Sequence, residues 1–226
     1  MKRFYDTLPT AFFDTAPVCI IVGAGDFGDY AIEVQEDDLV IAADGGYRHL
    51  QSRGVRCDLL MGDLDSLPPD TVIGTETKRY SPIKDDTDTM LAVRYGLERG
   101  YRKFFLFGIF GGRFDHTVGA LQTIAFLAEQ GAAVYAFEQT PDLRQSSYIT
   151  ALKNGTMEFP ETAEGYLSLI AWGGDARGVT LEHLQYPLCD DVLKPHIALG
   201  ISNTFLPGTC ARVTVRDGLL LVVKPR

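Results

Sequence analysis

The sequence predicts an α/β fold: an N-terminal doubly wound, mostly parallel sheet domain followed by a smaller all-β domain of sandwich or barrel type. Three observations predict it. Apolar runs of strand length alternate with helical stretches as far as about Phe137, the pattern of a layered α/β sheet. These runs are near-continuously apolar, as strands are when helices cover both sheet faces. After a polar stretch from Gln139 to Ser147, the texture changes to short segments of alternating character. The expected parts are therefore an α/β part over 1–140 and a β-rich part over 146–226.

Val18-Cys19-Ile20-Ile21-Val22 reads as a first buried strand, and Gly23-Ala24-Gly25-Asp26-Phe27-Gly28 after it fits G-x-G-x-x-G. With Asp44 near the distance of a ribose-binding acid, that spacing alone would suggest a dinucleotide site. Hydride transfer, however, gives no role to the acids further along, so the glycines read better as a tight turn near nucleotide. Leu39 to Ala43 forms the next strand and delivers Asp44-Gly45-Gly46. Cys57 to Met61 leads into Gly62-Asp63-Leu64-Asp65-Ser66. Lys84-Asp85-Asp86-Thr87-Asp88 opens a helix, with Asp86 or Thr87 as N-cap; Met90, Leu91, Arg94 and Leu97 share one of its faces. Lys103 to Phe107 is another strand, running into Gly111-Gly112-Arg113-Phe114-Asp115-His116.

The chemistry lies in the residues that leave each strand. Asp63 and Asp65 stand at i and i+2, and two carboxylates facing one small volume repel unless a cation sits between them. Oxygen-only ligands of this kind suit Mg²⁺, which takes one or two carboxylates and completes its shell with water and phosphate oxygens. Acids, glycines and a helix start gather at one end of every strand, the end where open parallel sheets bind ligands. The glycines before Arg113 allow close backbone approach to a phosphate, and its guanidinium supplies a bidentate donor.

Composition narrows the partners. The 226 residues can bury a sizeable core. A net charge of −9 and a pI near 4.9 argue against a nucleic-acid partner. No apolar run is long enough to span a membrane and no leader precedes the first strand. The four cysteines (Cys19, Cys57, Cys189, Cys210) are scattered, which points to a reducing cytoplasm with neither disulfides nor zinc. His49, His183 and His196 read as surface or packing residues, and His116 stands out only by its place after Arg113 and Asp115. No Gly-x-Ser-x-Gly elbow or HExxH is present.

In the β-rich part, short runs fall at 147–149, 156–159, 166–170 and 178–181. Ala211 to Val215 and Leu219 to Val223 flank Arg216-Asp217-Gly218, and Asp-Gly between apolar runs predicts a hairpin. At about eighty residues such a module is marginal alone, so it should pack on the first part or on a second copy.

Taken in order, Asp44-Gly45-Gly46, Gly62-Asp63-Leu64-Asp65-Ser66, Lys84 to Asp88 and Gly111 to His116 resemble the thiamine pyrophosphokinase (thiamine diphosphokinase) family. The resemblance covers nearly the whole chain, the tail included through Tyr186-Pro187-Leu188 and Leu199-Gly200-Ile201-Ser202-Asn203-Thr204. It implies a catalytic α/β domain, a C-terminal β-sandwich-like domain and a homodimer with thiamine bound between subunits. It also implies transfer of the β,γ-pyrophosphoryl group of ATP to the hydroxyl of thiamine, giving thiamine diphosphate and AMP, with Mg²⁺ as cofactor. By the same resemblance Asp63, Asp65 and Asp88 match the metal-binding acids, and Asp44, Thr87, Arg113 and Asp115 match nucleotide and active-site positions. Ser202 and Asn203 match the thiamine contacts. Lys84 stands where branches of the family vary, as a candidate phosphate contact. Two other functions fit the same residues: a pyrophosphokinase acting on a hydroxymethylpterin, and a thiamine- or nucleotide-binding sensor without turnover.

Overall fold

Each central strand divides its side chains between two apolar layers. In β1 (Cys19–Val22), Cys19 and Ile21 face one core while Ile20 and Val22 face another. The same split recurs in β2 (Leu39–Ala43), β3 (Leu59–Gly62) and β5 (Lys103–Phe107). Successive side chains of a strand point to opposite faces, so a run that is apolar throughout must be covered on both. The coverage comes from α1 (Gly46–Ser52) on one face, and α2 (Asp88–Glu98) and α3 (Phe114–Glu129) on the other. The computed structural model describes residues 8–9, 17–28, 32–65, 67, 71, 73–81, 85–138 and 147–225.

The α/β layer is completed by β4 (Glu76–Arg79) and β6 (Ala133–Phe137). Its strand order is β4-β3-β2-β1-β5-β6, every neighbour parallel. The fold class is as the sequence predicts, with one difference among the described residues: no helix lies between β1 and β2 or between β3 and β4. β4 is unexpected, because Glu-Thr-Lys-Arg carries no apolar signal. It is an edge strand, where charged residues guard unpaired backbone.

The expected break over Gln139 to Ser147 lies, except for Ser147, outside the described residues. On either side of it β6 pairs antiparallel with β7 (Tyr148–Glu158), so the sheet continues into the β-rich part. There β7, β8 (Tyr166–Ala171), β9 (Ala176–Glu182), β10 (Leu188–Leu193), β11 (Asn203–Thr204) and β12 (Arg212–Lys224) enclose a third core around Phe159, Leu167, Val179, Phe205, Val213 and Leu220.

The hairpin expected at Asp217-Gly218 does not form. Arg212 to Lys224 is one strand, pairing with β7 along its length, with an irregular register between Val215 and Leu219. On its other side it pairs first with β9 and then with β8. Gly218 has φ 118 and donates its N–H to Asn154 Oδ1 at 2.8 Å. A bulge of this kind bends a strand, which lets β12 serve both sides of the sandwich.

Candidate active site

The chain leaves β1 outward through β2, β3 and β4, then returns to β5 on the other side of β1. The loops at the C-terminal ends of β1 and β5 thus flank the point where the strand order switches, which is where open α/β sheets bind ligands. Here the two loops lie backbone to backbone: Gly23, Gly25 and Asp26 donate to the carbonyls of Phe107, Gly108 and Phe110 at 2.7–2.8 Å. A Cβ on Gly25 would stand 2.2 Å from the Phe110 oxygen, so only glycine permits the approach. Beside these loops opens a cleft of about 400 Å³, lined in part by Asp44, Asp86, Thr87, Asp88, Arg113 and His116. The G-x-G-x-x-G segment thus lends Ala24 and Gly25 to a wall of the cleft, and among the described residues no helix follows it.

Asp44 follows β2 and Asp63 and Asp65 follow β3, and parallel pairing sets these ends side by side: Ala43 is opposite Met61, and Asp44 N–H donates to the Met61 carbonyl at 2.7 Å. Asp44 (φ 50) and Leu64 (φ 68) turn the chain sharply at this edge, a conformation favoured by Asp or Asn but unusual for leucine. Asp63 Oδ1 accepts from Asp65 N–H at 3.2 Å. One carboxylate oxygen from each of Asp44, Asp63 and Asp65 lies within 4.8 Å of the others. Gly62 makes room for this group, since a Cβ there would meet Asp44 Cβ at 3.0 Å.

The set brought together differs from the expected Asp63, Asp65 and Asp88. Asp44 joins the pair, whereas Asp88 sits in the first turn of α2 and lines the cleft with Asp44. Asp44 is expected as a nucleotide and active-site residue; what would have joined it to the Asp63/Asp65 pair is the register between β2 and β3, which a sequence does not display. Thr87 is the N-cap of α2, accepting from Met90 N–H at 3.2 Å. Asp86 pairs with Arg94 at 2.8 Å, and the Arg94 guanidinium lies 4.9 Å from the Phe126 ring centre, tying α2 to α3.

Arg113 caps α3 and its fork is bidentate to Asp115, at 3.1 and 2.5 Å. That hydrogen bonding holds the Asp115 carboxyl below its usual range and raises the arginine, so the pair is doubly charged at neutral pH. Both side chains are largely exposed. Lys84 and Ser66 lie outside the described residues.

Ser202 and Asn203 stand in the β-rich part, whereas every described residue lining the cleft falls between Ala24 and Thr123. Ser202 is exposed with φ 58, its N–H bonded to Ser168 Oγ at 2.9 Å. Asn203 is buried. Its Oδ1 accepts from Tyr186 N–H and Thr204 N–H, both at 2.9 Å, and its Nδ2 donates to the Tyr186 carbonyl at 2.7 Å. The amide therefore pins the Tyr186 backbone, and the Tyr186 ring stands 64% exposed beside it.

A switch-point cleft walled by glycine backbone, with Asp44 and Asp88 in its lining, Asp63 and Asp65 beside Asp44 and an arginine at a helix start, is the kind of site at which α/β enzymes bind nucleotide phosphates. Two family models match: "Thiamin pyrophosphokinase, catalytic domain" over residues 30–136 and "Thiamin pyrophosphokinase, vitamin B1 binding domain" over residues 155–220. A thiamine pyrophosphokinase of Bacillus subtilis (strain 168) is 26% identical over 206 residues, covering 84% of this chain and 88% of that protein. The crystal structure of a B. subtilis thiamine pyrophosphokinase shares the fold with a TM-score of 0.79 at 22% identity, covering 93% of this chain and 99% of that one. That of Candida albicans matches with a TM-score of 0.65 at 16% identity over 92% and 90%. The chain belongs to the thiamin pyrophosphokinase family.

Proposed function

We propose that this cleft transfers the pyrophosphoryl group of ATP to the hydroxyl of thiamine, with Mg²⁺ held by Asp44, Asp63 and Asp65. The observation that carries the assignment is the convergence of three carboxylates from two strand ends, one of which, Asp44, lines the switch-point cleft. Hard oxygen donors and room for water suit Mg²⁺, and three carboxylates this close need a cation to offset their repulsion. A metal held by Asp44, Asp63 and Asp65 would supply positive charge to offset that of the polyphosphate.

The chain's own groups do the positioning, which supplies most of the catalysis in phosphoryl transfer. The glycine backbone of the β1 and β5 loops admits the nucleotide closely. Arg113 turns its fork from Asp115 to the polyphosphate, and Asp115 holds the guanidinium at the cleft mouth until then. Asp88, at the start of α2 and facing the same cleft, serves the phosphates through a second metal or as acceptor of the thiamine hydroxyl proton. Lys84 is a further phosphate contact in this reading.

Thiamine binds at Ser202 and the Tyr186 segment, with Asn203 bracing that segment. The described lining of the cleft falls in the first part of the chain, and the proposed enzyme is a homodimer in which one copy's β-rich part meets the other's cleft. Support comes from Tyr186, Ile197, Leu199 and Ile201, large apolar side chains left exposed just before Ser202; exposed apolar groupings of this kind mark interaction surfaces. The functional parts in this reading are 1–140 and 146–226; the separate family matches over 30–136 and 155–220 support a division into two parts. No described helix is long and apolar enough to cross a membrane, and the cysteines at 19, 57, 189 and 210 are free, in keeping with a cytoplasmic enzyme.

Incubation with ATP, Mg²⁺ and thiamine, followed by chromatography, should yield AMP and thiamine diphosphate in equal amounts. Product only when a hydroxymethylpterin replaces thiamine would move the acceptor to pterins. Binding of both ligands with no AMP would make the chain a sensor.

A further inference from the structure

We propose that His49 is a positioning residue for the nucleotide: it fixes the Gly25 peptide that forms the β1 wall of the cleft, with Arg53 holding the same loop at Gly28. The inference rests on the nucleotide reading above. Among the described residues no helix follows the Gly23–Gly28 loop, and its glycines offer no side chains to pack. One side of the loop is held by the β5 loop, since Gly25 N–H donates to the Gly108 carbonyl at 2.7 Å. The other side is held by α1.

His49 Nε2 lies 3.0 Å from the Gly25 carbonyl oxygen. An oxygen acceptor requires the proton on Nε2, so this contact sets the tautomer. Burial holds the imidazole below the usual histidine range, which keeps it neutral at pH 7. The ring stacks on Phe27 at 4.9 Å, and Phe27 in turn packs on Phe107 of β5 at 6.0 Å. The Arg53 guanidinium lies 4.2 Å from the Phe27 ring centre and donates to the Gly28 carbonyl at 2.9 Å.

Gly25 thus has its N–H and its carbonyl both engaged, on opposite partners, and the wall has one orientation. The same short helix starts immediately after Asp44 and Gly45. Its first residue, Gly46, is pressed so closely on β1 that a Cβ would stand 1.9 Å from the Val22 oxygen. One rigid segment therefore carries a carboxylate of the metal group at its start and the clamp on the nucleotide wall near its end.

A packing role and a positioning role separate in two variants. His49→Phe keeps the stacking ring and removes the donor; His49→Gln keeps an N–H of similar reach. Loss of one hydrogen bond predicts that His49→Phe weakens binding of a non-hydrolysable ATP analogue, and raises KM for ATP, about fivefold. KM for thiamine and kcat should stay unchanged, and His49→Gln should restore ATP affinity. Should His49→Phe not fold, His49→Asn, too short to reach the Gly25 oxygen, is measured instead with the same expectation. Wild-type ATP affinity in the donor-less variant, or equal losses for both substrates, would assign His49 to packing and overturn the proposal. A wild-type chain that binds no ATP analogue would overturn the nucleotide reading itself.

Discussion

Asp63→Asn should leave the protein more stable without metal while abolishing its activity. Carboxylate oxygens of Asp44, Asp63 and Asp65 lie within 4.8 Å of one another. At that separation a like-charge pair costs about 0.9 kcal/mol in a water-like medium and about 3.5 kcal/mol at an effective dielectric of 20. Asp65 is exposed and the other two half-buried, so the cost lies between these figures, toward the lower. Asp63 and Asp65 remain neighbours in the unfolded chain, which leaves the Asp44–Asp63 pair as the main repulsion specific to the fold. Asparagine keeps the Oδ1 that accepts from Asp65 N–H, so little else changes. The expected gain is about 1–2 kcal/mol, or a Tm rise of about 2–8 °C in EDTA for a chain of this size. Mg²⁺ at a hundred times its Kd should stabilise the wild type by about 2.7 kcal/mol and the variant far less. Thermal unfolding with EDTA and with Mg²⁺, run beside the AMP assay, measures all three effects. A variant less stable than wild type in EDTA, or one with an undiminished Mg²⁺ shift, would refute the metal group.

Other perturbations test other parts of the site. Arg113→Lys keeps the charge but loses the fork that now grips Asp115; kcat/KM for ATP should fall about tenfold or more, and unchanged ATP kinetics would remove Arg113 from the site. Asn203→Ala unpairs the Tyr186 and Thr204 backbone groups that the buried amide holds, so it should cost about 1–3 kcal/mol of stability and raise KM for thiamine far more than for ATP. Equal effects on both substrates would detach Asn203 from the thiamine pocket. Light scattering should give twice the chain mass for the active species, and a fully active monomer would refute the shared site.

Where a signal is local, the sequence shows it. Leu39–Ala43 and Lys103–Phe107 are apolar at every strand position bar the terminal lysine, and both appear with the residues expected. Thr87 caps α2 because its hydroxyl needs only the backbone three residues on. The hairpin at Asp217-Gly218 fails for the opposite reason. An Asp-Gly turn competes with whatever pairing the flanking runs find elsewhere, and here β7 pairs along the whole of Arg212–Lys224 while β9 and β8 share its other edge. Tertiary pairing of that extent outweighs one turn preference, and the glycine is used for a bulge instead.

The site divides along the same line. Asp63 and Asp65 are neighbours in the chain, so their role is legible as a pair. Asp44 joins them only because β2 and β3 pair in parallel with Ala43 opposite Met61, and Gly62 is needed because of the side chain that stands across from it. Asn203 shows the converse: its residue type suggests a contact to ligand, yet its amide is committed to the Tyr186 backbone. A motif fixes which residue is required; the pairing of distant segments decides whether it touches the ligand or holds the groups that do. By that logic Gly25, Phe27, His49 and Arg53, which no motif joins, form one device because α1 returns across the end of β1 and closes on its loop.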